Sequence, residues 1–495
     1  MCGLAVLWGT DSPAAVEAMI DRQRHRGPDG TGIVRSNAPG AAFGHCRLAV
    51  IDPEGGHQPI AAHGGSAVLV ANGMIYNDRE LRARLGDSAY ATRSDSESIL
   101  HLIERHGRDA AADLDGMFAF VMQLGDRLVA ARDPLGIKPL YTGRIGQTLA
   151  FASEIKALAG VADDITEFPA GHTFDTADGL KPYYALPQDG PAQWALEDAL
   201  EALRDTLERA VVKRLRSDVP FGALLSGGLD SSIIAALAAR HVDRLQTFAV
   251  GLPGSPDLAA ARVVAEHLGT RHHELAVRPE DVRAILPRIL YHLESYDRDL
   301  VRSAVPCYLV AGLAAERVKV VLTGEGADEL FAGYDYYRDY EDPDLLHEEL
   351  ARSVSAMHDV NLQRVDRMTM AHGLEARVPF LDTEMVSLGL SLPPQWKLHT
   401  DRPGARPVEK WILRKAFEHL LPAEIVWRDK LQFDQGSGFA DLLAAGAAAA
   451  SGDDAGAEEQ IYRDILADQY DAPGAVLDLV SHWNDVASRR QMPTA

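Results

Sequence analysis

The hexapeptide Ser226-Gly-Gly-Leu-Asp-Ser231 has the composition of a phosphate-binding loop. The apolar run 219–225 before it predicts a buried strand, and the segment 232–240 after it predicts a helix. Two glycines let backbone N–H groups approach an anion, the helix N-terminus adds partial positive charge, and the serines supply hydroxyl donors. The loop holds Asp230 and no lysine, unlike the Gly-x-x-x-x-Gly-Lys-Ser/Thr loop. The pattern therefore suits an enzyme that cleaves ATP between its α- and β-phosphates.

A second chemical signal lies at the start of the chain, where Cys2 precedes an apolar run, 4–8, that predicts a strand. Removal of Met1 would give Cys2 a free α-amine with a pKa near 8, which would act as a base beside the thiol. A Met-Cys start alone more often marks an ordinary buried cysteine. Four downstream motifs favour the nucleophile: Arg24-His-Arg-Gly-Pro-Asp-Gly30, Gly44-His-Cys-Arg-Leu-Ala-Val-Ile-Asp52, Asn72-Gly-Met-Ile-Tyr-Asn77 and Ser94-Asp-Ser-Glu97.

Together with Cys2, these motifs resemble the glutaminase domain of class II glutamine amidotransferases. The resemblance implies that Arg47 grips the α-carboxylate of glutamine as a fork, and that Asp95 pairs with its α-ammonium. It also implies that the Asn72 side chain and the Gly73 N–H form the oxyanion hole. The N-terminal part of the chain is therefore expected to release ammonia from glutamine.

The order of a Cys2 glutaminase and then the 226–231 loop resembles the glutamine-hydrolysing asparagine synthetases. Four further stretches agree: Phe248-Ala-Val-Gly-Leu-Pro-Gly-Ser-Pro-Asp257, Leu322-Thr-Gly-Glu-Gly-Ala-Asp-Glu-Leu-Phe331, His372-Gly-Leu-Glu-Ala-Arg-Val-Pro-Phe-Leu-Asp382 and Trp427-Arg-Asp-Lys-Leu-Gln-Phe433. The resemblance implies that a carboxylate, normally the β-carboxylate of aspartate, is adenylated with ATP and then aminated. It also implies an internal ammonia tunnel along the domain interface.

The resemblance assigns roles at the second site. The ATP-binding set is Leu225, Ser226, Gly227, Gly228, Asp230, Ser231, Val250, Thr323, Gly324 and Lys430. Asp230 and Asp328 would hold Mg²⁺, because pyrophosphate departs with heavy negative charge. Glu325 would hold the acyl-adenylate or take a proton from incoming ammonium. The acceptor would meet Asp299, Arg302 and Glu325.

Two positions depart from the family pattern. Met74 stands where family members have glutamate, so an anion near the glutamine ammonium is missing and we expect a weaker hold on glutamine. Asp299 and Leu300 replace a threonine pair beside the acceptor site. Aspartate is the first choice of acceptor, and an amide synthetase of specialised metabolism acting on another acid is the alternative.

Two other functions are weaker alternatives. A sugar or phosphoribosyl amidotransferase would share the N-terminal domain, but the 226–231 loop argues against it. A catalytically inactive ammonia or nucleotide sensor is opposed by the intact set Cys2, Arg47, Asp95, Asp230 and Glu325.

The length and composition of the chain limit the number of domains and the cellular compartment that we expect. With 495 residues the chain exceeds one core and predicts two or three domains. The three cysteines, Cys2, Cys46 and Cys307, predict no disulfide framework and favour the cytoplasm. No apolar stretch is long enough for a membrane span, and a signal peptide would conflict with Cys2 as the N-terminus. A homodimer is one state that the sequence allows.

The net charge of −23, from 49 basic and 72 acidic residues, argues against a nucleic-acid partner. Glutamine, ATP and aspartate or a related acid are the expected small-molecule partners, and anionic substrates need local cations. The candidates are Arg302, Arg377, Arg414 and Lys430.

The spacing of apolar residues changes along the chain, and so do the secondary-structure elements that it predicts. Short alternating runs and turns over 2–185 predict antiparallel hairpins, interrupted by helices near 14–25 and 97–106, the second with a capping box at Ser94-x-x-Glu97. The resemblance implies an α+β sandwich of the N-terminal nucleophile type, and 182–194 would form a linker.

Over 195–440, the apolar runs 219–225, 245–250, 273–277 and 318–323 alternate with helical stretches, which predicts an α/β domain with a parallel sheet. Ligands bind beyond the carboxyl ends of such strands. Because Ser226 and Thr323 follow two of those ends, both motifs should share one crevice. The extension 441–495 begins with a flexible segment or poorly packed helix and carries no assigned chemistry.

Overall fold

The computed structural model describes residues 2–36, 40–62, 67–400, 406–451 and 455–482. Met1, whose removal the sequence analysis expects, lies outside these ranges. None of the helices in this part of the chain has the length and apolar character that crossing a membrane would need.

The described N-terminal part forms two six-stranded antiparallel sheets. The first sheet has the order β10-β8-β9-β1-β3-β2 and the second β12-β11-β7-β6-β5-β4. The strands are β1 (Gly3–Trp8), β2 (Gly30–Ser36), β3 (Ala41–Arg47), β4 (Ile60–Ala61), β5 (Ala67–Ile75), β6 (Gly116–Leu124), β7 (Arg127–Arg132), β8 (Tyr141–Ile145), β9 (Thr148–Ala152), β10 (Asp163–Glu167), β11 (His172–Asp175) and β12 (Gly179–Pro182). The helices of this part are α1 (Pro13–Asp21), α2 (Asp78–Leu85), α3 (Glu97–His106) and α4 (Ile155–Leu158).

Alternation along β1 shows how the layers form. Leu4, Val6 and Trp8 pack between the two sheets, with partners from β5, β6 and β7. Ala5 and Leu7 point to the opposite face, where they pack with α1 in the apolar cluster that extends into the second domain. A strand buried on both faces is apolar throughout, because successive side chains point to opposite sides. The predicted α+β sandwich is confirmed, and α2 and α3 cover the outer face of the second sheet.

A five-stranded parallel sheet follows, with the order β15-β14-β13-β16-β17. Its strands are β13 (Phe221–Leu224), β14 (Gln246–Gly251), β15 (Arg271–Ala276), β16 (Val320–Leu322) and β17 (Glu375–Arg377); a small hairpin of β18 (Leu398–His399) and β19 (Val408–Glu409) lies apart. The predicted α/β architecture is therefore confirmed. β13 and β16 are neighbours, so the segments that follow them share one edge of the sheet, as the motif order indicated.

Helices surround this sheet, and the last helix of the described chain ends at Leu477. They are α5 (Leu196–Arg214), α6 (Leu229–Ala239), α7 (Pro256–Leu268), α8 (Pro279–Leu293), α9 (Arg298–Ala315), α10 (Ala327–Leu330), α11 (Pro343–Ser355), α12 (Asn361–Met370), α13 (Thr383–Ser391), α14 (Pro394–Lys397), α15 (Trp411–Phe417), α16 (Ala423–Val426), α17 (Phe433–Gly436), α18 (Phe439–Ser451), α19 (Ala455–Ala467) and α20 (Gly474–Leu477). The described part of the extension contains α18, α19 and α20, and α18 and α19 pack against α8 and α9.

The two domains meet through buried ion pairs. Arg26 of the first domain binds Asp366 of α12 at 2.7 Å, and both side chains are almost inaccessible to water. Lys156 at α4 lies 3.0 Å from Glu294, which follows α8. Removing one partner from such a pair leaves an uncompensated buried charge, which is strongly destabilising. The pairs therefore fix the position of one domain against the other.

The predicted capping box at Ser94 is wrong. The residue before α3 is Ser96, which makes no side-chain cap hydrogen bond. The Glu97 carboxylate turns away from its own helix and accepts hydrogen bonds from the backbone N–H groups of Ala91 and Thr92, at 2.7 and 2.8 Å. The N–H groups of the loop before the helix and those of the helix N-terminus compete for the Glu97 carboxylate. In this structure the carboxylate binds the loop.

Candidate active sites

Cys2 lies immediately before β1 and is 7% exposed. Its backbone N–H donates to Asn72 Oδ1 at 2.9 Å, which joins the start of the chain to β5. Burial raises the pKa of the Cys2 thiol, because the thiolate loses its hydration. The thiol therefore needs a base beside it before it can attack, which is the role expected of a freed α-amine.

The predicted oxyanion donors lie together on β5. Asn72 is fully buried, and its Nδ2 has no hydrogen-bond acceptor among the described residues. A buried amide donor without a partner is costly, so it is suited to an oxyanion that arrives only during reaction. A Cβ at Gly73 would lie 2.1 Å from the carbonyl oxygen of Met117 on the neighbouring strand. Only glycine therefore lets the backbone at position 73 lie this close to β6.

Arg47, the predicted partner of the glutamine α-carboxylate, lies at the end of β3. Its guanidinium donates to the carbonyl oxygens of Ile51, Asp52 and Pro53, at 3.1, 2.7 and 2.9 Å. Carbonyls orient the guanidinium without cancelling its charge. The side chain is thus held in one place with its positive charge available to a carboxylate.

Asp95 is also buried, and its Oδ2 accepts the Ile75 N–H at 2.8 Å. Burial raises the pKa of this carboxyl to about 6. An ammonium bound beside it would favour the ionised form, which fits the expected contact with glutamine.

Met74 lies one position further along β5 than the oxyanion donors. It is 1% exposed and packs in the apolar cluster that contains Met117, Leu48 and residues of both domains. Its side chain therefore contributes to packing between the domains, while a glutamate at this position would bring a charge into that cluster.

The loop 225–228 connects β13 to α6, as the sequence predicted. Gly227 has φ +74°, and a Cβ there would lie 2.4 Å from the backbone nitrogen of Ala261. The hydroxyls of Ser226 and Ser231 lie 3.1 Å apart, and Ser231 also donates to the carbonyl of Gly228 at 3.2 Å. Glycine conformation and serine cross-links thus shape the turn at the helix N-terminus.

The segment after β16 packs directly on this loop. A Cβ at Gly324 would lie 2.8 Å from the Cβ of Asp230, so only glycine permits the approach. The expected crevice is therefore present. Its cavity of about 400 Å³ is lined by Leu225, Ser226, Gly228, Asp230, Ser231, Val250, Asp299, Thr323, Gly324, Glu325, Asp328 and Lys430. Gly227 and Arg302 are the two predicted residues of this site that do not line it.

Two lysines bind the predicted metal-side carboxylates. Lys410 Nζ lies 2.5 Å from Asp230 Oδ2 and 2.6 Å from Asp328 Oδ1, and Lys430 pairs with the same oxygen of Asp328. The two cations hold the pKa of Asp328 well below its usual range. Sequence reasoning found Lys430 and missed Lys410, which is 3% exposed at its side chain and lies outside the motifs.

The same carboxylates fit a divalent cation. Asp230 Oδ1 is buried and has no hydrogen-bond partner in the described part of the chain, although Oδ2 of the same group is paired. Hard cations such as Mg²⁺ prefer carboxylate oxygens together with substrate phosphates. The donor set is therefore compatible with the expected Mg²⁺.

On the acceptor side, Glu325 Oε1 lies 2.5 Å from Arg364 of α12, a partner that sequence reasoning missed. Asp299 pairs with Arg298 at 3.1 Å and faces the cavity. Arg302 points elsewhere and binds Glu458 of α19.

A buried group that sequence reasoning also missed lies beside this site. Tyr334 and Asn361 line the cavity and donate to Glu329 Oε1 at 2.7 and 2.8 Å. Burial and the nearby charge of Asp328 raise the pKa of Glu329 to about 7. Its position directly after Gly-Ala-Asp328 was the available signal, but only the fold brings Tyr334 and Asn361 to it.

Two predicted local cations have structural partners. Arg377 is fully buried and donates to Glu375 and to the carbonyls of Arg214 and Arg216. Arg414 lines the cavity, but its guanidinium binds Glu409 and the carbonyls of Val426 and Arg428.

Two protein-family models match the two parts of the chain that carry these sites. The family model described as asparagine synthase matches residues 202–343 and 338–492, and the glutamine amidotransferase domain model matches residues 1–176. The chain belongs to the asparagine synthase family. The family match continues to residue 492, beyond the motifs that end near residue 440.

Several plant members of the family are similar over most of their length. Glutamine-hydrolysing asparagine synthetase 3 of Arabidopsis thaliana is 41% identical over 463 residues, covering 89% of this chain and 79% of the relative. The enzyme of Asparagus officinalis is 41% identical over 480 residues, covering 90% and 80%. The enzyme of Zea mays is 40% identical over 463 residues, covering 89% and 78%.

Proposed function

We propose that this chain is an enzyme that converts aspartate, glutamine and ATP into asparagine, glutamate, AMP and pyrophosphate. The observation that carries the proposal is the pairing of two sites in one chain. In the first domain, a cysteine lies beside an amide donor that has no partner among the described residues. In the second domain, an AMP-forming type of ATP loop faces Glu325. Amidation of another acid is not favoured, because the similar proteins are asparagine synthetases.

The glutaminase half-reaction is assigned to 2–185. The Cys2 thiolate attacks the side-chain amide carbon of glutamine, and the developing oxyanion is stabilised by Asn72 Nδ2 and the Gly73 N–H. Ammonia leaves, and water hydrolyses the γ-glutamyl thioester to glutamate. Arg47 and Asp95 hold the α-carboxylate and α-ammonium of glutamine, so that its amide meets the sulfur.

The synthetase half-reaction is assigned to 195–440, with 441–495 as an extension. The acceptor carboxylate attacks the α-phosphorus of ATP, which forms an acyl-adenylate and expels pyrophosphate. The 226–231 loop, Lys410 and Lys430 hold the phosphates, while Leu225 and Val250 border the adenine. Mg²⁺ held by Asp230 and Asp328 would offset the negative charge of the pyrophosphate.

Ammonia then displaces AMP from the acyl carbon, and Glu325 takes the proton that the nitrogen must lose. Arg364 fixes the Glu325 carboxylate at the cavity wall. The apolar cluster shared by the two domains supports transfer of ammonia without exposure to water, since ammonium formed in water cannot attack. Three buried free cysteines are in keeping with a cytoplasmic enzyme.

The direct test is release of pyrophosphate from ATP by the purified chain, with ammonia as nitrogen donor and a panel of acids. Aspartate is expected to trigger release, and asparagine and AMP to appear in equal amounts. Robust turnover of another acid, with none for aspartate, would contradict the acceptor and leave the adenylation mechanism standing.

Asp299→Thr tests the acceptor end of the cavity. Because Asp299 faces the cavity with a negative charge, we expect its removal to change the KM for aspartate more than the KM for ATP. Initial rates of pyrophosphate release at varied aspartate and varied ATP give both constants. Equal changes in the two constants would show that Asp299 does not discriminate the acceptor.

A further inference from the structure

The first three turns of α9 form one wall of the acceptor cavity. Asp299, Leu300, Ser303 and Cys307 line it, as their spacing of one, three and four residues places them on one helix face. Arg302 lies on the adjacent face of the same turn and does not line the cavity.

Arg302 is held by the C-terminal extension. Its Nε donates to Glu458 Oε1 at 2.9 Å and its Nη2 to Oε2 at 2.5 Å, so the guanidinium and carboxylate meet as a fork. Tyr462, one turn further along α19, donates to the same carboxylate at 2.7 Å. The Glu458 side chain is 5% exposed, which makes this pair much less screened than a surface pair.

Other charged groups face Arg302 from the cavity side. Asp299 pairs with Arg298 at the start of α9, and Asp434 of α17 lines the cavity while 8% exposed. Burial raises the pKa of Asp434, while the positive charges of Arg302 and Arg364 act in the opposite direction. Two cavity-lining carboxyls therefore lie within the electrostatic reach of Arg302, in competition with Glu458.

We propose that Glu458 is a positioning residue for the acceptor, and that α19 is thereby part of the acceptor site. By engaging both edges of the guanidinium, Glu458 keeps Arg302 from pairing with Asp299 or Asp434. Asp434 then stays available for the ammonium of an amino-acid acceptor, and Asp299 keeps Arg298 as its partner. The inference rests on the proposed function for the existence of such an acceptor, and it gives the C-terminal extension a role.

The test is Glu458→Gln, which keeps the shape of the side chain and removes its charge. Released from its carboxylate partner, Arg302 is expected to turn to Asp299 or Asp434. The KM of the acid that the wild-type chain adenylates should then rise about tenfold, the scale of one charge-assisted contact. The KM for ATP and the kcat/KM for glutamine hydrolysis should stay unchanged. Asp464→Asn, an exposed carboxylate on the same helix, is the matched control and should behave as wild type.

A double-variant cycle separates positioning from mere stabilisation of α19. If Glu458 acts through Arg302, then Glu458→Gln raises the KM of the acid in the wild-type background and not in an Arg302→Gln background. An equal rise in both backgrounds, or a loss confined to kcat or to thermal stability, would overturn the proposal. If Glu458→Gln does not fold, Tyr462→Phe supplies the same test with a smaller rise. A wild-type chain that adenylates an acid other than aspartate contradicts the proposed acceptor, and the cycle is then measured with that acid.

Discussion

Cys2→Ala is expected to abolish glutamine-dependent synthesis and to leave ammonia-dependent synthesis nearly intact. The thiol is the proposed nucleophile for glutamine alone, while the ATP loop and Glu325 lie in the other domain. Removing a catalytic nucleophile removes the covalent route entirely, and the small side chain of alanine fits the same buried position. Asparagine formation with glutamine and with ammonium chloride, measured side by side, checks this result.

Cys46→Ala is the matched control. Cys46 is also buried and free, and it lies on β3 opposite Gly3 of β1. It should keep glutamine-dependent synthesis. Equal loss of activity with both nitrogen donors in Cys2→Ala would contradict two separate sites.

Asp230→Asn is expected to lower pyrophosphate release about 10²–10³-fold, the usual effect of removing a charge that acts mainly in the transition state. Its carboxylate stands between the ATP loop and Lys410, and one of its oxygens is left without a partner among the described residues. The amide keeps the shape but loses the charge. Glutaminase activity should survive, because Cys2 and Asn72 are joined within the other domain. Glu325→Gln should suppress acyl-adenylate formation in the same selective way.

Asp243→Asn, an exposed carboxylate in the same domain, controls for the loss of one charge. Pyrophosphate release and glutamate formation are measured on the same preparations. Near wild-type release by Asp230→Asn would show that this carboxylate has another role.

Sequence alone determined the parts of the molecule that depend on neighbouring residues. The glycines of the 226–231 loop and the helix that follows it are neighbours in the chain, so the local sequence was enough to predict an anion site there. The apolar runs of β1, β13 and β16 likewise predicted strands, because burial on both faces leaves every position of a strand apolar.

Long-range partnerships were decided only by the tertiary structure. Lys410 meets Asp230 across 180 residues, and Glu458 meets Arg302 across 156 residues. Nothing in the local sequence of a lysine or glutamate distinguishes such a partner from an ordinary surface charge. Burial decides it, because a charged group removed from water must find its counter-charge wherever the fold brings one.

The same reason explains the local prediction that is wrong, the capping box of Glu97. Glu97 was expected to cap its own helix, but the fold places the N–H groups of Ala91 and Thr92 against its carboxylate. Met74 lies two residues after Asn72, so strand alternation turns its side chain to the same face of β5, where it belongs to the apolar cluster that contains Met117 and Leu48. Residue type and spacing thus set which chemistry the chain performs, whereas the partner that each buried charge finds is set by the packing of distant elements.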